Sequence, residues 1–266
     1  MKSRSIFNCF FIALILFGIW GLAEENRTGK FTDPRDHNVY QWVKIGNQVW
    51  MAENLRFKTE KGSWCWKNLE ENCKTRGRLY NWDAAMKAVP PGWHLPSDEE
   101  WKKLEITLGL TKDQADREGF RIDGENLLAG KIKQKGSWPE TYKGKTLIIT
   151  NESGFSAIQT GIYANGSFNH DPYSIWWTSS GSETHSWLRH IGFFDNSIGR
   201  VMNRKVFAFS VRCIKDQSMI SLNIHEAARQ GDLEQVKTML KEGKDRPWGI
   251  YWVNAGIIEK LRPENL

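Results

Sequence analysis

Period-two alternation opens and closes the informative part of this chain, and helical spacing fills its middle. Val39 to Ile45 and Gln48 to Leu55 read as two strands, and Gly46-Asn47 between them is a two-residue hairpin signal with glycine first. Val39, Val43 and Ile45 share one face with Gln41, while Tyr40 and Trp42 share the other. Asn81 is placed to cap a short helix running to about Ala88, with Trp82, Ala85, Met86 and Val89 on one side. Pro90 and Pro91 stop it, since proline has no amide to donate and clashes with the preceding turn. A short strand follows. Ser97 and Glu100 then form a capping box, and Asp98, Glu99 and Glu100 set negative charge at the positive end of the next helix. Trp101, Leu104 and Leu108 recur at helical spacing and Gly109 closes that helix, at about Asp98 to Leu108.

The flanking stretches are less regular. Residues 24–38 are polar and read as a linker, residues 56–77 as a loop, and residues 111–150 as charged, glycine-spaced irregular connections. From Phe155 the pattern turns to strands. Phe155 to Ile158 alternates, Gly161-Ile162-Tyr163 leads to an Asn165-Gly166 hairpin turn, and Ser174 to Thr178, Ser186 to Ile191 and Ser197 to Val201 follow as strands. Phe207 to Ile214 closes the region, with Phe207, Phe209, Val211 and Cys213 facing one way. Hairpin, two helices, irregular loops and then antiparallel strands make an α+β domain over residues 39–216.

Composition adds an address. Lys2 and Arg4 precede an apolar run from Ile6 to Ala23, and Gly21-Leu22-Ala23 supplies small residues before Glu24. Residues 1–23 therefore read as a secretory signal peptide, with an uncleaved membrane anchor as the alternative. The net charge of +6 contains no dense basic block, so nucleic acid is not implied, and the only expected membrane contact is through the N-terminal segment if it stays uncleaved. Cys65 and Cys73 bracket a short loop that suits a disulfide in an exported chain. A zinc site is the weaker reading, because no second Cys/His pair at ligand spacing accompanies them. Fourteen tryptophans fit either a heavy core or a binding surface.

Several ordered segments carry a resemblance. They are Val43-Lys44-Ile45-Gly46-Asn47-Gln48-Val49-Trp50-Met51-Ala52-Glu53-Asn54-Leu55, Gly77-Arg78-Leu79-Tyr80-Asn81-Trp82, the Pro91-to-Trp101 run, Gly154-Phe155-Ser156-Ala157, Trp176-Trp177-Thr178-Ser179-Ser180 and Phe209-Ser210-Val211-Arg212-Cys213. Over about residues 31–216 the chain resembles the Fibrobacter succinogenes major paralogous domain family, which consists of exported, often lipid-anchored or surface-associated bacterial proteins. The layout is also similar to the wider C-type-lectin-like fold. That resemblance implies a final-strand cysteine, here Cys213, paired back to a position occupied here by Val89, so Cys213 is expected to be free and buried. The calcium motifs of sugar-binding lectins are missing, and Asn169-His170-Asp171-Pro172 offers too few oxygens for a hard cation. The formylglycine-generating enzymes resemble this fold too, but they use a pair of late cysteines where this chain has Cys213 alone.

The expected ligand surface lies where the lectin-like fold builds its loops: Trp176, Trp177 and Trp187, with Tyr173, Asn169 and Asp171 beside them. Adjacent tryptophans on a strand point opposite ways, so one of Trp176 and Trp177 is expected to face outward. A glycan or a cell-surface protein is the expected ligand, with no cofactor. His94 reads as a hydrogen-bonded structural histidine. His185, His190 and Asp195 form an acid–base set only if the fold joins them, which strand spacing alone does not do. Residues 217–266 read as a helical tail, in which Ile224 to Gly243 resembles the two helices of one ankyrin repeat. Its apolar stripe of Leu233, Val236, Met239 and Leu240 needs a cover from the domain, from further repeats or from a protein partner. The expected function is an exported, non-enzymatic binding or adhesion module of the bacterial cell envelope. An altered formylglycine-generating-type oxidoreductase and a structural surface domain are the alternatives.

Overall fold

The computed structural model describes residues 27–121, 128–169 and 173–216. The expected signal segment 1–23, Asp171 and the ankyrin-like tail 217–266 lie outside these residues. The chain begins with a three-strand meander of β1 (Thr28–Thr32), β2 (Val39–Ile45) and β3 (Gln48–Met51). The hairpin forms as its turn chemistry requires: Gly46 takes φ +58 and Ile45 pairs with Gln48. The linker reading of residues 24–38 is corrected by β1, which pairs with β2 along its full length. Its five residues, Thr-Gly-Lys-Phe-Thr, hold one apolar side chain, so periodicity could not reveal it. Phe31 stacks on Trp93 at 4.4 Å between ring centroids and on Tyr40 at 5.3 Å. The polar turn after β1 is anchored as well. Asp33 is buried and accepts from the Arg35 guanidinium, which also donates to the Ala88 carbonyl at 2.7 Å.

Next come β4 (Ser63–Trp64), a 3₁₀ turn at Trp66–Asn68, α1 (Glu70–Arg76) and β5 (Leu79–Tyr80). The loop expected at 56–77 thus contains a helix, and the Cys65–Cys73 disulfide ties its second turn to the preceding segment. α2 (Trp82–Ala88) starts where expected, with the Asn81 side chain accepting from the Ala84 amide. Its buried face is Ala84, Ala85 and Ala88, and Met86 is 39% exposed, so the predicted stripe is rotated. β6 (Trp93–His94) and α3 (Asp98–Thr107) follow, and both bonds of the Ser97–Glu100 capping box are made.

Residues 111–150 are less irregular than expected. They carry α4 (Lys112–Asp116), itself opened by a Thr111–Gln114 capping box, then β7 (Gly119–Arg121), α5 (Leu128–Ile132), β8 (Thr141–Tyr142) and β9 (Lys145–Thr146). These elements are too short for periodicity to register. The remaining strands are β10 (Ile162–Ala164), β11 (Ser167–Asn169), β12 (Ser174–Gly181), β13 (His185–Ile191), β14 (Ile198–Arg204) and β15 (Ile214–Lys215). The expected closing strand is shorter than its alternation suggested, and Ala208, Phe209 and Ser210 make only single bridges. Its facing is nonetheless as read: Phe209, Val211 and Cys213 enter one core cluster.

The described strands form a five-stranded sheet ordered β1-β2-β3-β15-β6, a four-stranded sheet ordered β12-β13-β14-β7 and three two-stranded pairs, all antiparallel. The architecture is α+β. Two large buried clusters flank β12. One gathers Trp50, Trp101, Phe155 and Trp176, and the other Tyr40, Tyr80, Trp177, Phe209 and Cys213. No described helix is long and apolar enough to cross a membrane.

Candidate binding surface

The expected ligand residues do not converge. Trp176 and Trp177 do point to opposite faces of β12, yet both are 0% exposed. The expectation that one faces outward is corrected, because both faces of this strand are covered. Trp176 lies among Trp101 and Phe155, and its indole donates to Asn54 Oδ1 at 2.9 Å. Trp177 lies against Phe209, and its indole donates to the Tyr80 carbonyl at 2.8 Å. Trp187, on β13, is half-buried, with the Arg200 guanidinium 3.8 Å from its ring centroid. Asn169 is exposed at the end of β11. Of the five expected residues that are described, Tyr173 alone sits in a surface cluster of rings.

The two faces of the four-stranded sheet differ in chemistry. Toward α3 the sheet presents Arg189, Arg200 and Arg121, and α3 answers with Asp98 and Glu105. The Arg121 fork binds both Glu105 oxygens at 2.7 Å, and Arg189 Nε donates to Glu105 Oε1 at 2.6 Å. Asp98 accepts from Arg189 at 2.8 Å and from Arg200 at 2.7 Å. Burial alone would raise the Asp98 pKa, but hydrogen bonds and charge from Arg200 and Arg189 outweigh it and hold the carboxyl below its usual range. Each carboxylate has two guanidinium partners, which is what buried charge requires.

On the opposite face, toward the β7 edge, six rings meet. Phe120 lies 4.3 Å from His190 and 6.3 Å from Phe194. Tyr173 lies 5.7 Å from Phe194 and 6.2 Å from His190. Tyr142 contacts Phe193 at 4.9 Å and Phe194 at 6.4 Å. The register sets this up, because His190 pairs with Gly199 on β14 and Gly199 pairs with Phe120 on β7. Glycine is needed at 199, where a Cβ would lie 1.6 Å from His190 Nε2. Gly192 likewise leaves room, since a Cβ there would lie 2.6 Å from the Phe194 ring and 2.9 Å from the Tyr173 ring. The loop bearing Phe193 and Phe194 is pinned from inside. The Lys133 ammonium donates to the Asp195 carbonyl at 2.5 Å, the Ala129 amide to the Asn196 carbonyl, and the Ser197 amide and hydroxyl to the Asp195 carboxylate.

Phe120 is 49% exposed, and the other five rings are half-buried. His190 Nε2 is buried with no hydrogen-bond partner. Burial, reinforced by the Arg121 charge, pushes the His190 pKa down to about 4, so the ring is neutral at pH 7. The Phe120, His190, Tyr173 and Phe194 part of the surface is therefore built of rings without a formal charge of their own. Sequence reading missed Phe120, Tyr142, Phe193 and Phe194. The Phe193-Phe194 doublet between Gly192 and Asp195-Asn196 was the one available signal. Phe120 and Tyr142 come from the stretch that looked irregular.

The family model for the Fibrobacter succinogenes major domain matches residues 43–215, more than half of the chain. The chain belongs to that family. No curated protein and no solved structure matches it. The ring surface of this Fibrobacter succinogenes major domain falls within the matched span, and every ring in it comes from residues 120–194.

His94 Nδ1 lies 2.6 Å from Asp216 and Nε2 lies 2.9 Å from Glu100. Burial alone would lower its pKa, but the two carboxylates outweigh burial and raise it. Ser97 hydrogen-bonds Glu100 rather than the imidazole, so the arrangement offers no hydroxyl for the ring to activate. His185 contacts the Thr184 hydroxyl, and it lies an odd number of residues from His190, so the two point to opposite faces of β13. The acid–base set considered for His185, His190 and Asp195 therefore does not assemble. Cys65, Glu70 and Cys73 bring three donor groups together, but the two sulfurs are bonded to each other. Cys213 is free and fully buried, and burial pushes its thiol pKa up.

Proposed function

We propose that this domain is an exported, non-enzymatic binding module of the bacterial cell envelope, and that the surface of Phe120, Tyr142, Tyr173, His190, Phe193 and Phe194 is its contact surface for a glycan or a protein. The observation that carries the reading is that patch. Rings gathered at the surface from two strands, a hairpin and a loop pinned from beneath fit an interaction site. The export signal at 1–23 and the ankyrin-like tail at 217–266 belong to the same proposal. A C-type-lectin-like layout belongs to it as well. It is supported by β15, which inserts between β3 and β6 beside the N-terminal hairpin, and by Val89, which packs on the cluster that holds Cys213. Binding is favoured over formylglycine-type oxidation because the one late cysteine is buried and its thiol is held protonated, a poor nucleophile.

The test is retention. The purified chain is passed over immobilised cell-wall fractions and envelope proteins, beside the double variant Phe120→Ala/Tyr173→Ala. Retention of the parent and loss of it in a folded double variant is the expected outcome. No retention on any fraction, or equal retention of both proteins, overturns the proposal. Cysteine-dependent oxidation of a thiol peptide by the parent would favour the enzymatic reading instead.

A further inference from the structure

We infer that the ligand of the ring surface is an uncharged saccharide, bound without calcium. This rests on the binding reading above and deepens it. The first observation is charge. None of the six ring residues carries charge at neutral pH, because His190 is neutral there. The ionic groups next to them are turned away. Arg121 is bound to Glu105 on the other face of the sheet, and the Asp195 carboxylate faces Ser197. Lys133 is buried beneath the loop on the Asp195 carbonyl. Two exposed lysines border one end of the surface, at Tyr142: Lys143, with its ammonium 5.5 Å from the ring centroid, and Lys145, the cross-strand partner of Tyr142. Away from Tyr142, the described residues offer a polyanionic ligand little to pair with and a hard cation no set of oxygen donors.

The second observation is the kind of apolar surface. Val39, Leu69, Met86, Ile106, Ile148 and Val206 are the strongly exposed large aliphatic side chains among the described residues, and none takes part in the ring contacts above; Ile175, the cross-strand partner of His190, is half-buried and packs on the cluster of Trp177 and Phe209. Phe120 is the single strongly exposed member of the ring cluster. A protein-docking core mixes aliphatic, aromatic and arginine side chains. Here there are ring faces with polar points at their margins. The Tyr142 hydroxyl makes no hydrogen bond among the described residues. His190 Nδ1 also makes none and, unlike Nε2, is not a buried atom. A pyranose has the matching form, with an apolar C–H face to lie on a ring and a rim of hydroxyls to bond the points beside it.

Affinity electrophoresis of the purified full chain tests this. Gels contain a neutral polysaccharide (β-glucan, xylan, galactomannan or starch) or an acidic one (polygalacturonate or alginate), each with and without EDTA. Immobilised unfolded α-lactalbumin serves as the polypeptide probe. Retardation by at least one neutral polysaccharide, unchanged by EDTA, is expected. Phe120→Ala and Tyr142→Phe should each weaken it, the former by about tenfold. Trp187→Phe, on the α3-facing side, should leave it unchanged. Retardation by acidic polysaccharides alone, or loss with EDTA, overturns the inference. Polypeptide binding without any sugar retardation also overturns it while leaving the binding-module proposal standing. Failure with every probe overturns the saccharide inference, and retention on cell-wall fractions and envelope proteins then decides separately whether the binding-module proposal stands.

Discussion

Arg189 and His190 are neighbours on β13, and they meet opposite worlds. Arg189 reaches α3 and satisfies its guanidinium on Glu105 and Asp98. His190 turns to the other face, where rings surround it and Nε2 has no partner. On the first face every charge has a counter-charge, which serves packing and register. On the second, polar satisfaction is incomplete and apolar area stays in contact with solvent. Natural folds tolerate such local deficits where a surface serves something other than stability.

Breaking the satisfied face should cost most. Glu105→Ala removes the shared partner of two buried arginines and should destabilise the domain by about 3–5 kcal/mol, read from the urea midpoint at pH 7. A cost under about 1 kcal/mol would mean that the network is slack. Trp177→Ala should cost about 3–4 kcal/mol by the same measurement, because it empties a sealed site.

Acid should strain the ring face next. The folded pKa of His190 is about 4 against an unfolded value of about 6.5, so its contribution is complete above pH 6.5 and is lost as pH falls toward 4. After allowance for its partial exposure, the loss is about 1–2 kcal/mol. It appears as the difference between the parent and His190→Gln in unfolding series from pH 7 to 4. Carboxylates that titrate in the same window cancel in that difference. Equal slopes for the two proteins would show that the ring is already well solvated. Phe120→Ala should then cost only about 0.5–1 kcal/mol, since half of the ring is in water, while abolishing most of the binding. A cost as large as that of Trp177→Ala would recast the rings as core.

His94 supplies the smallest effect and the opposite sign. Held between Glu100 and Asp216, its pKa is raised, so its contribution is complete below about pH 6.5 and is lost as pH rises through the higher folded value. A few tenths of a kcal/mol is expected at this half-exposed position. Stability in the parent should fall slightly more than in His94→Gln between pH 6 and 8. The reverse slope would mean that the two carboxylates do not hold the ring.

Local signals determined a good part of this protein. Asn81 and the Ser97–Glu100 pair set helix starts, Gly46 and Asn165-Gly166 set turns, and the alternation of Phe209, Val211 and Cys213 set a buried face. Each of these acts through neighbours a few residues away, which the sequence displays directly. The Cys65–Cys73 pairing and the family were legible for the same reason. Exposure was not. Trp177 bonds Tyr80 across 97 residues and Trp176 bonds Asn54 across 122, and those distant covers turned an expected platform into core. The ring surface arose the same way, from separate segments joined by strand register and by glycines that leave room for rings. Alternation states which way a side chain points, but only the packed structure decides whether anything lies there.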